Sequence, residues 1–167
     1  MKDVSGLVIG TAHEYQRHQD RVRENAIVRA TFEELLRNII ADRKVDLIAE
    51  EAGDNQEILK SLKAEEAATA AYGELFAELK VVDEPRDPIA RIVANELGLM
   101  WVDIRSPGAA KMSVVQRDLV MTEKIMEALG SATSVLVICG EDHRVGMSRL
   151  LENQGLRVES RAFPDQQ

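Results

Sequence analysis

The chain has 167 residues, 45% of them hydrophobic and 30% charged, with a formal net charge of −8, which suits one soluble globular domain with a substantial core. That acidic balance argues against dedicated nucleic-acid binding, which needs a basic face, but leaves room for a small anionic ligand held by arginines. No run approaches the roughly 18 apolar residues of a membrane span. The amino-terminal stretch lacks a signal peptide's apolar region, and the single Cys139 suits a reducing compartment, so a cytoplasmic location is expected.

In chain order, the first apolar run is Val4 to Ile9, read as a buried strand that ends in Gly10-Thr11-Ala12-His13. Val28, Phe32, Leu35, Leu36, Ile39 and Ile40 then recur at spacings of three and four, one apolar stripe of a helix. Val45 to Ala49 is the second strand, ending in Glu50-Glu51. Asp54 or Asn55 is a candidate cap for a long helix reaching towards Leu79, with an alanine-rich centre that favours helix. Its expected place is against the core; a cap over the site or a face for self-association are the alternatives. Asp87-Pro88 reads as an N-cap followed by proline at the first helical position, with the helix ending near Gly98.

Leu99 to Ile104 is the third strand. Ser113 with Gln116 forms a capping box for a helix carrying Val115, Leu119, Ile125 and Leu129, and Gly130 stops it. Ser134 to Cys139 is the fourth strand, followed by Gly140-Glu141-Asp142-His143 and a short helix from about Val145 to Asn153. Leu156 to Ala162 alternates more and suits an edge strand. Strands that alternate with helices in this order predict an α/β fold: a mostly parallel central sheet of about five strands flanked by helices, in a single domain.

In a parallel sheet the carboxyl ends of all strands share one edge, where ligands bind. Along that edge the reading places His13 after the first strand and Glu50 and Glu51 after the second. Asp103 and Arg105 follow the third, and His143 follows the fourth. Neighbouring strands lie about 4.8 Å apart, so groups from two or three of them can meet around one atom. Imidazoles with a carboxylate suit either a divalent metal with an open position for water or acid–base chemistry without one. Consecutive strand residues point to opposite faces, so only one of Glu50 and Glu51 is expected at the site, and the pattern does not say which. Arg117 opposes the helix macrodipole near the start of its helix, and Arg105 lies at the functional edge. Each is a candidate for an anionic substrate group, against the plainer reading of a surface or salt-bridged arginine. Cys139 reads as a small buried hydrophobe.

The two Gly-x-x-His motifs with a strand-terminal glutamate between them resemble the TraB/PrgY superfamily, which includes the TIKI proteases. The likeness continues through Arg117-Asp118, the run Val135 to Cys139, Gly146, Leu150-Leu151 and Gly155, and extends more distantly to erythromycin esterase-like proteins. The resemblance implies a metal-dependent hydrolase acting on a peptide or small-molecule substrate, with manganese, cobalt or zinc as the ion. It makes His13 and His143 ligands or catalytic bases, Glu50 or Glu51 the intervening glutamate and Arg117 an anion-binding group, beside which Arg105 is a candidate by its place at the edge, and Glu141 and Asp142 are candidates for orienting a histidine. The chain lacks the membrane segment of several branches. The remaining readings are a regulatory module binding a metal or small anion at the same edge, and a metal-free His/Glu hydrolase. Self-association is an open possibility.

Overall fold

The computed structural model describes residues 4–11, 23–52, 88–105, 108 and 111–163. In chain order its elements are β1 (Ser5–Thr11), α1 (Arg23–Arg43), β2 (Leu47–Glu50), α2 (Ile89–Leu97), β3 (Met100–Asp103), α3 (Val114–Leu129), β4 (Ser134–Gly140), α4 (Glu141–Asn153) and β5 (Arg157–Phe163). His13 and the expected long helix between Asn55 and Leu79 lie outside the described residues.

All five strands are parallel, in the order β3-β2-β4-β1-β5, which is the expected α/β class. The pleat sends alternate residues to opposite faces, and two separate cores result. On one face Leu7, Ile9, Ile48, Leu136 and Ile138 pack against Phe32 and Leu36 of α1 and Ile89 and Val93 of α2. On the other, Val8, Leu47, Ala49, Val135, Val137 and Cys139 pack against Met121, Ile125 and Leu129 of α3 and Met147 and Leu151 of α4. Cores on both faces explain why the central strands read as continuous apolar runs rather than alternating ones. The helix that follows β1 in the described chain, α1, lies on one face, and the helix that follows the adjacent β4, α4, lies on the other. Such a divergence is a switch point, the usual place for a ligand crevice in an open sheet.

Three local readings change. The helix after β4 begins at Glu141 rather than near Val145, because Gly140 is both the last strand residue and the N-cap; His143 therefore sits in a first helical turn, not in a loop. The second helix starts at Ile89 with Pro88 at the N-cap, one residue later than the Asp87-Pro88 reading. In α3 the buried stripe is Asp118, Met121, Thr122, Ile125 and Leu129, whereas Val115 and Leu119 are 66% and 46% exposed. The capping box of Ser113 and Gln116 is present, with both reciprocal bonds made.

Candidate active site at the ends of β2 and β4

Glu50 and Glu51 separate cleanly. Glu50 pairs in register with Ile138 and Asp103 and shares the face of Ile48, towards α1 and α2. There Trp101 Nε1 donates to Glu50 Oε2 at 3.0 Å, and Arg91 stacks over the Trp101 ring at 5.1 Å from its centroid. Oε1 of Glu50 is buried without a hydrogen-bond partner. Burial pushes the Glu50 carboxyl up to about 8, offset in part by the indole bond and reinforced by Asp103. The group is therefore a neutral acid over most of the physiological range.

Glu51 takes the opposite face, with Ala49 and Leu47. Its backbone N–H continues the ladder to Ile138 O at 2.8 Å, and its Oε2 accepts from the Gly140 N–H at 3.0 Å. That bond ties the end of β2 to the start of α4. Glu51 is only 4% exposed, and its Oε1 stands 3.7 Å from Nε2 of His143.

His143 projects from the third position of α4 and is 2% exposed. Its Nδ1 lies 2.5 Å from Oδ1 of Asp118 on α3. An ionised carboxylate can only accept, so against it Nδ1 is the donor, while Nε2 faces Glu51. Burial raises the Asp118 carboxyl, and the bond to His143 and the nearby charge of Arg117 work against that rise. Two glycines make room for the arrangement. A Cβ on Gly146, one turn after His143, would sit 2.0 Å from Asp118 Oδ2, and one on Gly10 would sit 2.1 Å from Glu141 Oε2. Gly146 thus lets α3 approach α4 closely enough for the aspartate to reach the imidazole, and Gly10 lets the first turn of α4 lie over the end of β1.

Glu141 and Asp142 do not orient the histidine. Glu141 is exposed and accepts from Arg144 Nε at 2.8 Å, Asp142 is exposed, and Asp118 takes the role instead. Asp118 was not singled out as a site residue from sequence, although it belongs to the quoted Arg-Asp pair. The available signal was a carboxylate in phase with Met121, Ile125 and Leu129, on the side of the helix that faces the core.

Arg117 is half-buried, and its Nε is buried without a hydrogen-bond partner. The charge of Arg105 favours the ionised form of Asp103, and its backbone is held at both ends. Its N–H donates to Asp103 Oδ1 at 2.9 Å, and its carbonyl accepts from Lys124 Nζ at 2.5 Å. The Cys139 thiol is buried, and burial together with neighbouring carboxylates raises it well above its ordinary value, as a small core residue rather than a nucleophile.

The described donor set passes one geometric test for a metal. A separation of 3.7 Å between His143 Nε2 and Glu51 Oε1 is too long for a hydrogen bond. It is close to the roughly 3.4 Å that separates two tetrahedral ligands with bonds of about 2.1 Å. Among the described residues no group of three or more His, Cys, Asp or Glu side chains is gathered as a complete ligand set. Comparison with protein-family models, curated proteins and solved structures finds no match to this chain.

Proposed function

We propose that the protein is a hydrolase whose site is centred on His143 and Glu51, with a divalent metal ion as cofactor. The observation that carries the reading is the buried row Asp118–His143–Glu51, in which a carboxylate holds one imidazole nitrogen and leaves the other facing a second carboxylate. A carboxylate behind a ligating histidine sets its tautomer and raises its basicity. His143 and Glu51 would hold the ion together with His13, which the resemblance makes a third donor. A divalent ion in such a site supplies Lewis acidity and brings a bound water's pKa towards neutrality.

The chain's own groups do the rest. Asp118 keeps the His143 ring from rotating, and the Gly140 N–H holds the Glu51 carboxylate in place. Arg117, with a buried Nε that has no hydrogen-bond partner among the described residues, would offer its guanidinium to a substrate carboxylate or a developing oxyanion. The resemblance to the TIKI branch favours a peptide or ester bond as the substrate. The tight Asp118–His143 pair also favours a second reading, metal-free acid–base hydrolysis with Nε2 of His143 as the base.

A panel of peptide and ester substrates, assayed before and after chelation, tests both. The metal reading expects turnover that chelation abolishes and manganese, cobalt or zinc restores. His143→Ala and Glu51→Gln should each lose it, and Glu50→Gln should keep it. Turnover that survives chelation but not His143→Ala selects the metal-free reading. Stable metal binding with no turnover makes the site regulatory and overturns hydrolysis.

A further inference from the structure

Among the described residues β5 is the outer strand of the sheet, and its sequence is Arg157-Val158-Glu159-Ser160-Arg161-Ala162-Phe163. The Arg157 N–H donates inward to Val4 O at 3.0 Å. Residues two apart in a strand direct their amide and carbonyl groups to the same side. Arg157, Glu159, Arg161 and Phe163 therefore bond towards β1, while Val158, Ser160 and Ala162 turn theirs away from it. We propose that this edge pairs with β5 of a second copy, antiparallel about a two-fold axis at Ser160, joining two five-stranded sheets into one.

In that register the whole of β5 overlaps. Ser160 faces Ser160 and Val158 faces Ala162 as hydrogen-bonded pairs. Glu159 faces Arg161 twice over, in the non-hydrogen-bonded positions where opposed side chains come closest. The hydrogen-bonding phase requires only that the axis pass through a residue; the charge pattern then selects Ser160. Centring the strands on Glu159 would set two carboxylates against each other, and centring on Arg161 would set two guanidiniums together. An axis at Val158 would also pair Arg157 with Glu159, but it leaves the end of the strand without a partner.

Charged residues often guard an edge against pairing. A run of one sign does so against its own copy, whereas an Arg-x-Glu-x-Arg order reversed on itself offers opposite signs. The two central charges stay accessible: Glu159 and Arg161 side chains are 60% and 53% exposed, although within one chain Arg161 Nη2 lies 3.8 Å from Glu159 Oε2. Glu159 already bonds Arg43 of α1 at 2.7 Å, which holds its carboxylate on the α1 face, the side on which Arg161 of the second copy would arrive. On the other face Arg144 Nη1 donates to Ser160 Oγ at 3.3 Å, so α4 braces the strand at the axis.

The experiment is sedimentation equilibrium on the full chain and on variants whose circular dichroism matches it. The wild type should be a dimer. Ser160→Pro removes an outward N–H, which an edge strand tolerates, and should give monomer. Glu159→Arg and Arg161→Glu alone should each weaken the dimer at least tenfold, and the double exchange should restore it. Mild oxidation of Ser160→Cys should give a covalent dimer, since hydrogen-bonded antiparallel pairs put Cα atoms about 5.5 Å apart, within disulfide range. Glu159→Cys, which faces residue 161 and not itself, should not crosslink. If Ser160→Pro fails to fold, the charge exchange and the crosslink decide. A monomer at all concentrations, or a dimer with no Ser160→Cys crosslink and no response to the charge reversals, overturns the proposal.

Discussion

Glu50 is fully buried, with one carboxyl oxygen bonded to an indole N–H and the other without a partner, an arrangement that burial makes costly to ionise. Its folded-state pKa, about 8, lies above the value of 4.5 expected in the unfolded chain. The stability this gives is full below about pH 4.5 and is lost as pH rises towards 8, because over that interval the native state binds the extra proton. Denaturant unfolding should therefore show stability falling with pH across this window, by at most about 1.4 kcal/mol per unit. Glu50→Gln keeps an acceptor for Trp101 and should flatten that part of the profile. Asp118 calls for a different test. With its carboxylate behind His143, Asp118→Asn should weaken metal affinity by roughly 10–100-fold and leave the fold intact, as read by calorimetric titration and circular dichroism. His143→Ala should remove binding at this site outright.

At the scale of elements, the site depends on how closely α3 and α4 approach. Gly146 is the point of contact, since a methyl there meets Asp118 Oδ2 at 2.0 Å. Gly146→Ala, although favourable to helix by itself, should destabilise the protein by about 1–3 kcal/mol through overpacking. It should also push Asp118 away from His143, so metal affinity and melting temperature fall together. Asp118→Asn should change the first with little change in the second. The element pattern was largely legible from sequence. Val4–Ile9, Val45–Ala49 and Ser134–Cys139 are apolar on both sides because helices cover both faces of their strands. The alternation of Leu156–Ala162 marked an edge correctly. Helix phase was harder to read. Val115 and Leu119 are apolar and fit a helical period, yet they are exposed, while Asp118 and Thr122 take the buried stripe. Hydrophobicity alone cannot show that a core-facing carboxylate is answered by a histidine from another helix.

Across the whole molecule, the sheet order makes the site. β2 and β4 are far apart in sequence but adjacent in the sheet, so Glu51 and His143 meet. The carboxyl edge and the place of His143 on it could be read from strand ends. The choice between the two glutamates could not, because it turns on whether Glu50 or Glu51 shares the face of α3 and α4. Register settles that choice: Glu50 goes to Trp101 and Glu51 to Gly140 and His143. His13 lies outside the described residues. The most direct measurement is the metal content of the full chain by mass spectrometry, after reconstitution with manganese, cobalt or zinc and removal of excess ion. The account predicts close to one ion per chain for the wild type and for Glu50→Gln, and none retained by His143→Ala or Glu51→Gln. Retention by the His143→Ala and Glu51→Gln variants, or no ion in the wild type under any loading, would contradict it.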